Sequence, residues 1–178
     1  NTGARGGELR KLRMGDIELE NRRLHIRRGI TKTDAGERLL ELNQAAMEAV
    51  TKLYLRAQTL GACEPGHYLL PADLSRHTLK SDPLKGRRGF DVTRHQSTWR
   101  SAWVRLLKAA RLEGLRFHDL RHSFITAMAE RNVPLPVVQA MVGHMSAAVT
   151  RRYTHISSQA ARQADLDGPV AGRQDAAA

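Results

Sequence analysis

Over residues 43–60 the apolar positions Ala46, Met47, Val50, Leu53, Tyr54 and Ala57 recur at spacings of three and four, one stripe along a helix that Gly61 is placed to end. The same period returns over residues 93–112, with Trp99, Trp103, Leu106, Leu107 and Ala110 on one face. It continues over 118–131, 135–142 and 146–153, punctuated by Pro134 and Gly143. In the first of these, Phe117, Leu120, Phe124 and Met128 mark the core face. A weaker helical pattern runs over 2–12, with Thr2 as cap and Leu9 and Leu12 three apart, against Gly6 and Gly7.

Alternation takes over between these helices. Ile17, Leu19, Leu24 and Ile26 alternate with charged residues around Glu20-Asn21, and Leu40 and Leu42 end an extended stretch after Asp34-Ala35-Gly36. A small three-stranded antiparallel sheet is expected. Residues 62–92 mix Pro, Gly, Ser, Asp and Lys and predict a long loop with one strand near Tyr68-Leu69-Leu70. The resulting fold class is α+β, mainly helical with a small antiparallel sheet. Residues 1–156 form the domain, and 157–178, polar and rich in Ala, Gly and Asp, form a C-terminal arm or flexible tail.

Composition adds a partner class. The 178 residues suit one domain, and 41% hydrophobic content suffices for a packed core. A net charge of +11 favours a polyanion, as in nucleic-acid, ribosomal or membrane-surface proteins. A single cysteine, Cys63, rules out an intrachain disulfide and a Cys-based zinc site, and no run approaches the roughly 18 apolar residues of a membrane span. A cytoplasmic protein without membrane association is expected. The chain opens without Met on a charged pattern, as a piece of a longer protein does.

Taken singly, the chemically interesting residues have ordinary readings. His118 and Arg121, three apart, suit a solvated pair on a helix flank; His144 suits a corner between helices; Tyr153, beside Arg151, Arg152 and His155, suits an amphipathic anchor. His118 and His122 also mimic the His-Glu-x-x-His zinc pattern. Arg121 between them, Asp in place of Glu and the lack of a third-ligand segment argue against it, so no metal is expected.

Order and spacing change this. TGARGGEL at the start, TKTDAGERLLEL on the hairpin, RFHDLRHSFITAMAERNVPLPVVQAMVGH and then RRYTHIS together resemble the catalytic domain of the tyrosine site-specific recombinases, the phage integrase family. The resemblance runs from Thr2 to about Ser157, with one minor departure within it, Val142 standing where Leu is usual before Gly-His. It implies the DNA breaking-rejoining fold and a metal-independent, cofactor-free enzyme that cuts DNA through a 3′-phosphotyrosine.

It further implies Arg5 and Arg121 on the scissile phosphate, His144 bonding that phosphate or helping to manage the proton, Lys32 as general acid, His118 as proton acceptor and Tyr153 as nucleophile. Glu8 matches the acidic residue supporting the first arginine, and Asp119 and His122 match neighbours of the His-x-x-Arg pair. The partner implied is double-stranded attachment-site DNA, bound by a homotetramer that is monomeric off DNA, in a bacterial or phage setting at the nucleoid. The family's N-terminal DNA-clamping domain has no counterpart in these residues, so complete strand exchange is not expected of them.

From Arg76 to Arg111 ten basic residues face two acidic ones, Asp82 and Asp91. Arg76, Lys80, Lys85, Arg87, Arg88, Arg94 and Arg100 are the expected backbone contacts, the alternative being a solvated basic face. A type IB topoisomerase and a catalytically silent DNA-binding regulator are the competing readings.

Overall fold

The computed structural model describes residues 2–30, 36–74 and 89–167. The chain enters through Gly3, at φ +62°, where a Cβ would lie 2.6 Å from the Phe124 ring and 2.7 Å from Val142. Only glycine lets the backbone press this closely on the helices behind it. Helix α1 (Gly6–Arg10) is shorter than expected and is capped at Arg5, not Thr2. The reason is Glu8, whose carboxylate accepts the Arg5 backbone N–H and satisfies a donor the helix start would otherwise leave open.

The three-stranded sheet has the expected strands: β1 (Ile17–Glu18), β2 (Arg23–Ile26) and β3 (Arg38–Glu41), in that order and antiparallel. Its register sets Leu24 opposite both Ile17 and Leu40. With Ile26 these side chains lie buried beneath α2 (Gln44–Thr59), each contributing about 1.5–3 kcal/mol by leaving water. The Asn43 side chain caps α2 by accepting the Ala46 N–H.

The region after α2 departs from the sequence expectation. Tyr68 makes only an isolated bridge to Arg13, and the strand lies three residues on, as β4 (Pro71–Asp73). It pairs antiparallel with β5 (Phe90–His95), in a segment expected to turn helical at Thr93. The β-branched pair Val92-Thr93 prefers the pleated backbone. Helix α3 (Arg100–Ala109) therefore starts late, and it leaves Val104 and Leu106 exposed.

A second core joins α4 (Asp119–Glu130), α5 (Leu135–Val142) and α6 (Ala147–Asp167). Along α4 the inward positions are Arg121, Ile125 and Ala129, while Leu120 is half exposed, so the buried stripe is rotated from the expected one. Helix α6 continues through Asp167, past the boundary expected at residue 156. Among the described residues no helix is long and apolar enough to cross a membrane.

Candidate active site

The site forms where the start of α1 meets the N-terminal end of α4 and the turn between α5 and α6. Arg5 leaves the α1 cap with its side chain one-third exposed. Its Nη1 donates to Glu8 Oε1 at 2.8 Å and its Nη2 to the His144 carbonyl at 2.6 Å. Glu8 is sealed beneath it. Burial alone would raise the carboxyl pKa, but bonds from Arg38 and Arg5 outweigh that and hold it below the usual carboxylate range.

Arg121 is buried and tied to backbone. Its Nη1 donates to the carbonyls of Gly3 (2.7 Å) and Val142 (2.6 Å), and its Nη2 to that of His144 (3.2 Å). Burial first, then the nearby Arg5 charge, lower its pKa to about 10, which leaves it protonated at neutral pH. The Nε–H has no partner among the described residues, so one edge of the guanidinium remains to receive an anion. The turn that supplies the Val142 and His144 carbonyls passes Gly143, at φ +73°, ψ −162°, with a prospective Cβ only 3.3 Å from Arg38 Nη1. That conformation belongs to glycine.

His118, at the cap of α4, stands edge-on to His122, with ring centroids 4.9 Å apart. Partial burial, the neighbouring His122 and the charges of Arg121 and Arg116 lower its pKa, so the imidazole is neutral and able to accept a proton at pH 7. A pocket of about 380 Å³ is lined by Arg5, His118, Arg121, His122 and His144, together with Ile125, Met145, Ser146 and Val149. Its lining contains five basic side chains and no carboxylate. Asp119 turns aside to Arg116, whose Nη2 donates to its Oδ1 at 2.9 Å.

Tyr153 does not enter this pocket. Its ring is buried in the second core, in one cluster with Ile125, Ala129 and Val138, and its hydroxyl donates to the Val133 carbonyl. It lines an adjoining space of about 270 Å³ with Arg152, sharing His122, Ile125 and Val149 with the basic pocket. Burial raises the phenol pKa.

Lys32 lies outside the described residues, as do Arg76, Lys80, Lys85, Arg87 and Arg88. Arg94, on β5, and Arg100, opening α3, are both exposed. Two features had no counterpart in the sequence reading. One is the His144 carbonyl, acceptor for both arginines. The other is Arg38, buried against Glu8. A signal for Arg38 existed: in an alternating strand it shares the inward face with Leu40, two residues on.

Comparison with known proteins places the chain. Residues 1–160 match the phage integrase family, and the chain belongs to that family. It is 28% identical to the tyrosine recombinase XerA of Pyrococcus furiosus, over 92% of this chain and 49% of that protein. The chain thus spans about half the length of this relative. The crystal structure of XerA recombinase superimposes with a TM-score of 0.64 at 24% identity, covering 94% of this chain and 54% of that one. The Tn1549 transposon integrase in complex with transposon right end DNA gives 0.58 at 22% identity, covering 91% and 55%. Both likenesses concern the fold, which is the tyrosine recombinase fold that the sequence implied.

Proposed function

We propose that this chain is the catalytic domain of a site-specific DNA recombinase, cutting and rejoining strands through a 3′-phosphotyrosine at Tyr153. The observation that carries it is the basic pocket, which collects Arg5, His118, Arg121 and His144 from distant parts of the sequence and includes no carboxylate. A phosphodiester fits such a lining. Attack at phosphorus adds charge to the non-bridging oxygens, and two permanently charged guanidiniums held by Glu8 and backbone carbonyls answer it without reorganising. The fixed cations supply this charge, so cleavage is expected to persist in EDTA.

His118, neutral at pH 7, accepts the Tyr153 proton as the phenolic oxygen bonds to phosphorus. The bond from phosphorus to the 5′ oxygen breaks, and Lys32, by family resemblance, supplies the proton that frees it as a hydroxyl. Positioned proton transfer of this kind contributes about 10² to 10⁴ in rate. Attack by a 5′ hydroxyl on the phosphotyrosine reverses these steps, so rejoining needs no nucleotide cofactor. Arg94, Arg100 and the basic residues at 76–88 track the duplex backbone, with affinity that falls steeply with salt. Residues 1–156 do the chemistry, the C-terminal arm serves neighbouring protomers, and the protein is monomeric until it assembles as a homotetramer on DNA.

The test is incubation of the 178-residue chain, in EDTA, with a pool of random-sequence nicked duplexes. Covalent adducts concentrated on one sequence are expected. Adducts spread over all sequences, with relaxation of supercoiled plasmid, fit the topoisomerase reading, and binding without adducts fits the silent regulator.

A further inference from the structure

Arg38 is nearly sealed, its side chain 6% exposed, although a guanidinium taken out of water is costly unless its donors are met. Three directional bonds engage its three nitrogens, one each. Nε donates to the Met141 carbonyl at 2.7 Å, Nη1 to the Gly36 carbonyl at 2.7 Å, and Nη2 to Glu8 Oε2 at 2.8 Å. The acceptors lie in three parts of the fold: the last turn of α5, the approach to β3, and α1.

Two of them lead directly to the phosphate-binding groups. Glu8 also accepts twice from Arg5, from the backbone N–H (2.9 Å) and from Nη1 (2.8 Å). The direction of the Glu8 carboxylate therefore sets the direction of the Arg5 guanidinium. Met141 lies just ahead of Gly143 and His144, and the His144 carbonyl is the acceptor shared by Arg5 and Arg121. Gly143 passes so close that its Cβ would stand 3.3 Å from Arg38 Nη1 and 3.6 Å from Arg5 Nη1. Arg38 itself is absent from the lining of the basic pocket.

We propose that Arg38 is a positioning residue for strand cleavage, aiming Arg5 through Glu8 and fixing the His144 turn through the end of α5. This rests on the cleavage reading above. A planar fork is needed because the acceptors stand in three fixed directions; lysine, with one compact ammonium, keeps the charge and loses the geometry.

The experiment uses the 178-residue chain and the duplex selected by adduct formation, made with either an ordinary phosphodiester or an uncharged methylphosphonate at the cleavage position. The neutral substrate develops less charge and asks less of Arg5. Single-turnover cleavage of both is measured for the wild type, Arg5→Ala, Arg38→Lys and Arg38→Met. The ratio of the two rates is independent of how much of a variant is folded, because the same active molecules cut both substrates.

Arg38→Lys and Arg38→Met are expected to shift that ratio toward the neutral substrate by about tenfold or more, in the direction of Arg5→Ala, the scale on which misplaced groups slow reactions. An unchanged ratio in both Arg38 variants, beside a shifted one in Arg5→Ala, overturns the inference whatever the absolute loss. A wild type that forms no adduct with the phosphodiester overturns the cleavage reading instead.

Discussion

The Tyr153 hydroxyl donates to the Val133 carbonyl, beyond the C-terminal end of α4, whereas Arg121 and His118 lie at that helix's N-terminal end. At 1.5 Å per residue, the stretch of α4 from Arg121 to Glu130 alone is about 14 Å long. The basic pocket and the Tyr153 hydroxyl thus lie apart, the tyrosine belonging to the second core. If Tyr153 is the nucleophile, as proposed, in-line attack requires it to leave the Val133 carbonyl and reach the basic pocket.

The bond to Val133 has a measurable stability. Tyr153→Phe removes the hydroxyl and leaves the Val133 carbonyl without its partner, at a cost of about 1–2 kcal/mol. Urea denaturation of the free proteins is expected to register that loss. Equal or greater stability in Tyr153→Phe contradicts the contact.

A pH dependence follows from His118. Its pKa is lowered below the ordinary 6.5, by burial, by the neighbouring His122 and by the charges of Arg121 and Arg116. The proton-accepting form therefore prevails at neutral pH and is lost only as pH falls through that lowered value. Single-turnover cleavage should be level near neutrality and decline in acid with a midpoint under 6.5. His118→Gln should remove that limb. A midpoint at or above 6.5, or the same limb in His118→Gln, counts against this role.

Gly143→Ala combines backbone strain with a side-chain conflict. The φ, ψ region costs about 1–3 kcal/mol for other residues, and the added methyl meets Arg38 and Arg5. Both stability and cleavage should fall, the latter by about 10- to 100-fold. Gly114, also at positive φ, has nothing within 4 Å of a prospective Cβ. Gly114→Ala should lose stability while the folded protein cleaves normally; equal cleavage losses in the two variants would assign the Gly143 effect to strain alone.

Period was the strongest signal in the sequence. Where an apolar stripe lies on one face, as in α2 or α5, the helix falls within a residue or so of its expected limits. Alternation likewise placed all three strands of the larger sheet. The failures lie where a tertiary partner decides: β5 needs β4 across a long connection, and α1 starts at Arg5 because Glu8 reaches back to it. The pocket residues were legible through the order of polar motifs, which brought Arg5, His118, Arg121 and His144 together. The orientation of Tyr153 was not, because a carbonyl as acceptor leaves no mark on residue type; neither does the His144 carbonyl.

The central claim is that Tyr153 is the residue joined to DNA, and mass spectrometry of the trapped adduct tests it most directly. The chain has three tyrosines, Tyr54, Tyr68 and Tyr153, and trypsin separates them, cutting after Arg152 and Arg162. After nuclease treatment of the adduct, the remaining nucleotide is expected on the peptide that begins at Tyr153, attached through the phenolic oxygen. A nucleotide found on the peptide carrying Tyr54 or Tyr68, or on a serine, would contradict the assignment.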